Sequence, residues 1–219
     1  MKLLFLYGIN CNKDIYTSLL SYMQKEEVII AAIPHAVSKT AQKIEDLSAW
    51  VYHRYRHETF DAIIAHSMGG IIAVQLAAVY SMPIPKIICL DTNFVPANAF
   101  YRNLMMPVHL ERYRHFLEEM FDKEKPFYHP ALRSRLQEDF DYRPYLYKLQ
   151  QKITVIYGDR GNPHSPTLID DLHLGEAALR HLELHFLANT CHLPMLEDPK
   201  GLAKLLYTLL AQNKEKEVK

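Results

Sequence analysis

The chain has 219 residues, enough for one domain with a substantial core. Apolar residues make up 49% and charged residues 23%, an ordinary balance for a soluble globular protein. With 25 basic and 25 acidic residues, no general field steers it toward nucleic acid or an anionic membrane, and no apolar run approaches a membrane span.

In chain order, Lys2 to Gly8 is a short apolar run ended by glycine and reads as a buried strand. A helix is expected around Asp14 to Gln24, then a second strand from Val28 to Pro34. Thr40 to Arg56 is expected to be helical, with Ile44, Leu47, Val51 and Tyr55 on one face. Asp61 to Ile64 reads as a strand, Ile71 to Tyr80 as an apolar helix, and Lys86 to Asp91 as the next strand. After an irregular stretch, strands resume at Ile153 to Gly158 and Glu183 to Leu187, and a helix closes from about Pro199 to Gln212. Continuously apolar strands alternating with helices imply an α/β fold, a mostly parallel sheet covered by helices on both faces.

Residues 96–149 break this alternation and are rich in aromatics, methionine, arginine and histidine, among them Phe100, Tyr101, Met105, Met106, Tyr113, Phe116, Phe121, Phe127 and Tyr128. They read either as a helical subdomain with a small core of its own or as a helical lid lining a pocket over the strand ends. The expected division is a core of residues 1–95 and 150–213, a lid or cap of 96–149 and a disordered tail of 214–219. Cys11, Cys89 and Cys191 are too few for a disulfide framework. With no leader segment apparent, they point to a reducing cytoplasm.

The chemistry centres on Ala65-His66-Ser67-Met68-Gly69-Gly70, between a strand and a helix. A serine on a tight strand-to-helix turn, with small residues two before and two after it, is a nucleophile elbow. The turn exposes the hydroxyl at a helix N-terminus, where the dipole favours negative charge. Such a serine needs a base, and the base an orienting carboxylate. His192 follows the last strand and precedes the last helix, at the same sheet edge as Ser67, and is the expected base. His66 is expected to help shape the pocket, and Cys191 to be a small packing residue.

Together these residues resemble the α/β-hydrolase superfamily over nearly the whole chain. The resemblance implies a first oxyanion donor in the loop after the first strand, often within a His-Gly motif, and Tyr7-Gly8-Ile9-Asn10 matches with tyrosine in the histidine's place. The backbone N–H groups of Ile9 and Met68 would then hold the oxyanion. His192 followed by Glu197-Asp198-Pro199 is similar to the family's histidine loop. The element count implies a core that begins at the family's third strand.

The acid departs from the pattern. Where the family most often has Gly-x-x-Asp, this chain has Gly158-Asp159-Arg160-Gly161, so Asp159 comes two residues early. The alternative arrangement places the acid directly after the strand that follows the nucleophile helix, where Asp91 stands. Asp91 and Asp159 are both candidates, and Asp91 is favoured. A plain turn former at a strand end and a loop cap are the other readings of the two.

The resemblance implies a serine hydrolase of carboxylesterase or thioesterase type that cleaves a small ester or thioester, with amides also in reach. The expected partner is a small acyl substrate, with no cofactor, no metal, no nucleic acid and a monomeric or homodimeric state. Carbon–carbon bond hydrolysis or elimination on the same scaffold is the alternative, for which Arg102, Arg112, Arg114, Arg133 and Arg135 could hold substrate carboxylates. A catalytically weak ligand-binding homologue is a third reading, supported only by the missing Gly-x-x-Asp acid and the altered Tyr7-Gly8.

Overall fold

The computed structural model describes residues 1–98, 103–137 and 140–212. Phe100, Tyr101, Arg102 and the expected tail lie outside the described residues. Six strands, β1 (Lys2–Leu6), β2 (Glu27–Ile30), β3 (Ala62–His66), β4 (Ile87–Leu90), β5 (Ile153–Gly158) and β6 (Leu182–Leu187), form one sheet in the order β2-β1-β3-β4-β5-β6. Every neighbouring pair is parallel. This follows from the sequence: β1, β3, β4 and β5 are buried on nearly every residue, and only strands covered on both faces can be apolar throughout.

The helices are α1 (Thr17–Leu20), α2 (His35–Ser38), α3 (Ile44–Tyr55), α4 (Met68–Ala78), α5 (Pro107–Glu124), α6 (Pro130–Arg135), α7 (Arg143–Leu146), α8 (Gly175–Leu179), α9 (Pro194–Glu197) and α10 (Pro199–Ala211). Two apolar clusters mark the two faces of the sheet. Leu4, Leu6, Ile63, Ala65, Val155 and Tyr157 pack with α3 and α4, while Leu3, Phe5, Ile64, Leu90 and Ile156 pack with α10 and the segment around Ile15 and Leu19. α4 is buried from Met68 to Leu76 and is apolar there except for Gln75, whose Oε1 accepts from Ser48 Oγ, whereas α10 buries one stripe at Leu202, Ala203, Leu206, Leu209 and Leu210.

Three expectations change. The helix expected at 14–24 is a single 3-10 turn at Lys13–Tyr16 followed by the four residues of α1. Asn12 caps that turn through the Asp14 N–H, and short turns bury Ile15, Tyr16, Leu19 and Met23 as a helix would. The helix expected from Thr40 starts at Ile44, where Asp46 reaches back to the N–H groups of Gln42 and Lys43. Finally, the segment 96–149 has no core of its own among the described residues. Met105, Leu117 and Met120 join one face of the sheet, and Tyr128, Leu132, Leu146 and Leu149 join the other. The segment therefore straddles the carboxyl ends of the strands, where sites in such sheets lie.

Candidate active site

Register brings the strand ends together: Leu6 pairs with Ala65, His66 with Leu90, and Leu90 with Ile156. The chain then leaves each strand at Tyr7, Ser67, Asp91 and Asp159, all along one edge. The Ser67 N–H bonds the Leu90 carbonyl at 3.0 Å and the Asp91 N–H the Ile156 carbonyl at 2.8 Å, so both turns are anchored to the next strand.

Ser67 is the N-cap of α4, with φ 53° and ψ −122°. A side chain in that conformation is strained and persists only where the surroundings impose it. Thr92 Oγ1 donates to the Ser67 carbonyl at 3.0 Å, and three glycines let the neighbours close in. A Cβ on Gly69 would lie 2.5 Å from the Leu6 carbonyl oxygen, one on Gly70 would lie 2.1 Å from Thr92 Oγ1, and one on Gly8 would lie 2.9 Å from the His66 ring. The small residues around Ser67 are thus required by contact distances.

His192 Nε2 lies 3.1 Å from Ser67 Oγ, and His192 Nδ1 lies 2.9 Å from Asp91 Oδ1. Serine, histidine and aspartate form one hydrogen-bonded line. The Asp91 side chain is wholly buried, whereas a quarter of His192 is exposed. The carboxylate is saturated: Arg160 Nη2 donates to Oδ1 at 2.8 Å, and Oδ2 accepts from Arg160 Nη1 at 2.7 Å and the Gly158 N–H at 3.1 Å. Burial alone would push the Asp91 carboxyl up, but the Arg160 charge and the bonds from His192 and Arg160 outweigh it. Asp91 is held well below the usual carboxylate range.

Asp159 does not join this line. Its Oδ1 accepts the backbone N–H groups of Gly161 at 2.8 Å and Asn189 at 2.7 Å, which tie the loop after β5 to the loop after β6. Of the two rival aspartates, only Asp91 contacts His192.

His66 differs from its expected part. Its ring is buried and absent from the cavity wall, and Nε2 lies 2.9 Å from the His192 carbonyl oxygen. A carbonyl only accepts, so Nε2 carries the proton. Burial, followed by the neighbouring His192, depresses the imidazole to about 3 and keeps it neutral. Tyr7 likewise faces away, its hydroxyl accepting the Ile33 N–H at 3.1 Å. The Cys191 thiol is buried and pushed up to about 12, which leaves it protonated and poorly nucleophilic.

Two contributors were missed in the sequence. Arg160 is one; a cation beside the place where an acid is usual was the available signal. Glu197 is the other. Its fully buried carboxylate accepts the Cys191 N–H at 2.7 Å through Oε2, and the Met106 N–H at 2.7 Å and His109 Nδ1 at 3.2 Å through Oε1. With the His192 N–H on the Leu104 carbonyl at 3.1 Å, it fastens the histidine loop to the start of α5.

A cavity of about 420 Å³ opens above Ser67, within the usual small-molecule range of roughly 300–1,000 Å³. Ile9, Asn10, Met68, Ile71 and His192 line its floor, and Arg133, Leu136, Gln137 and Phe140 close it from the 96–149 segment. Met68 opens α4, so its own N–H has no carbonyl one turn back within the helix to bond. Of the five arginines considered, Arg133 lines this cavity, Arg112, Arg114 and Arg135 are exposed and off its wall, and Arg102 lies outside the described residues. Among the described residues, no cluster of three His, Cys, Asp or Glu side chains could hold a metal ion, and no helix is long and apolar enough to cross a membrane.

A parallel sheet with this elbow at its carboxyl edge defines the class of protein. A profile of the alpha/beta hydrolase family matches residues 33–205, and the chain belongs to that family. No curated protein sequence matches it. Among solved structures it is similar to MenH from S. aureus, at 13% identity and a TM-score of 0.73, over 98% of this chain and 94% of that one. It is also similar to a carboxylesterase from the thaumarchaeon Nitrososphaera gargenis, at 18% identity and 0.72, over 98% and 91%. The thioesterase domain from the curacin biosynthetic pathway follows at 17% and 0.66, over 94% and 90%. At these identities the likeness speaks to the fold.

Proposed function

We propose that this protein is a serine hydrolase that cleaves a small ester or thioester, with amides also in reach, through an acyl-enzyme on Ser67. The observation that carries this reading is the unbroken line from Ser67 Oγ through His192 to Asp91 at the floor of a cavity. Ser67 Oγ attacks the carbonyl carbon while His192 Nε2 takes its proton. Asp91 fixes the ring with Nδ1–H toward itself and stabilises the imidazolium that forms. The N–H groups of Ile9 and Met68 receive the developing oxyanion. His192 returns the proton to the leaving group, and water, deprotonated by the same histidine, releases the acid. The 96–149 segment acts as the lid. The binding-only reading loses its main support, since Asp91 takes the place of the missing acid.

A fluorophosphonate probe should label the protein at Ser67, and Ser67→Ala should show neither labelling nor turnover of p-nitrophenyl esters. Undiminished ester hydrolysis in Ser67→Ala would overturn the assignment.

A further inference from the structure

Three polar side chains on the cavity wall are left incomplete by the fold. Asn10 Oδ1, Asn93 Oδ1 and Arg133 Nε are each shielded from solvent, and none has a hydrogen-bond partner among the described residues. Buried polar atoms are nearly always paired, so three orphans converging on one cavity mark groups that a ligand completes.

Arg133 is the decisive one. Four arginines sit beside carboxylates: Arg54 by Glu58, Arg143 by Asp141, Arg160 by Asp91 and Arg180 by Glu176. Arg133, in α6, has no carboxylate within salt-bridge distance among the described residues and is only half-buried. Among the described residues no acidic side chain lines the cavity with it, and the buried Asp91 carboxylate is already taken by Arg160, Gly158 and His192. A positive charge in a concave, partly apolar site without a counter-ion selects for an anion.

We propose that the substrate carries a carboxylate received by Arg133, with Asn10 and Asn93 completing polar groups nearer the bond to be cleaved. This rests on the hydrolase reading above. One guanidinium flanked by two neutral amides supplies a single positive charge, which matches a carboxylate better than a phosphate carrying nearly two negative charges. The guanidinium's planar fork suits a carboxylate's two oxygens.

The test compares esters matched in size but not in charge. Mono-p-nitrophenyl glutarate is set against its methyl-capped diester, with the carboxylate on the acyl side. 4-Acetoxybenzoate is set against its methyl ester, with the carboxylate on the leaving group. The protein should prefer the charged member of at least one pair by about tenfold or more in kcat/KM, mainly through KM. In Arg133→Met that ratio should collapse toward one, and Arg133→Lys should restore part of it. No preference in either pair, or a preference that survives in Arg133→Met, overturns the proposal.

A binding measurement separates this from the hydrolase reading. Calorimetry of glutarate on Ser67→Ala needs no turnover, and the affinity should fall about tenfold when Arg133→Met is added. If wild-type protein hydrolyses no ester while this difference persists, the hydrolase reading fails and the carboxylate site stands. Brisk hydrolysis with no Arg133 dependence in either assay leaves the hydrolase reading and removes the site.

Discussion

Arg160 closes its fork on Asp91 from the neighbouring strand end, Nη1 2.7 Å from Oδ2 and Nη2 2.8 Å from Oδ1, with both side chains almost fully buried. Removing one member of such a pair strands the other charge in the interior. Arg160→Met should therefore cost about 3–5 kcal/mol of stability, read as a lower urea midpoint. Asp91→Asn combined with Arg160→Met should recover a substantial part of that loss, because no charge is left unpaired. Additive losses in the double variant would show that the pair is not coupled.

The two aspartates should separate in rate. Asp91→Asn removes the acceptor that selects the His192 tautomer, and kcat should fall by up to about 10⁴, on the serine-protease precedent. Asp159→Asn keeps an oxygen for the Gly161 and Asn189 N–H groups, and its kcat loss should stay below about tenfold. Circular dichroism on both variants separates lost chemistry from lost fold. Equal, small losses would mean that neither carboxylate orients the base.

His66 should make stability depend on pH in a defined window. The folded protein holds this imidazole neutral down to about 3, whereas its ordinary value is 6.5. The unfolded chain therefore takes up a proton that the folded protein refuses. Stability is complete above about 6.5 and declines as pH falls toward 3, by at most about 1.4 kcal/mol per pH unit. Asp91 has its folded value depressed, so its contribution persists above the ordinary carboxylate range and is lost only below it. Between pH 7 and 5 the wild type should lose roughly 2 kcal/mol more than His66→Gln, whose amide can still donate to the His192 carbonyl. Parallel curves for the two proteins in urea titrations would refute this account.

The features legible in the sequence are those that local pattern controls. β1, β3, β4 and β5 were readable because burial on both faces makes a strand continuously apolar, and Ser67 because the elbow needs small neighbours at fixed offsets. His192 was readable from its place after the last strand. Arg160 was not, because its partner lies 69 positions earlier and a loop arginine reads as solvated until the neighbouring strand ends are aligned. Glu197 was quoted only as part of a loop pattern, since its partners Met106 and His109 belong to a segment whose path over the sheet is set by tertiary packing. The helix expected at 14–24 shows the converse error. Apolar residues at 15, 16, 19 and 23 satisfy a helical period, yet a capped turn and one helical turn bury them equally well.

The bond from the His66 ring to the His192 carbonyl gives two distant stretches of chain a common mounting. Ser67 follows His66 directly, so any tilt of the turn that carries the hydroxyl also tugs the backbone that carries the imidazole. Thermal or mutational displacement of either stretch should move hydroxyl and imidazole in concert, which preserves their separation while the surrounding loops adjust to different occupants. A histidine that takes no proton at neutral pH can in this way act as a spacer, keeping the neighbouring pair in reach of each other.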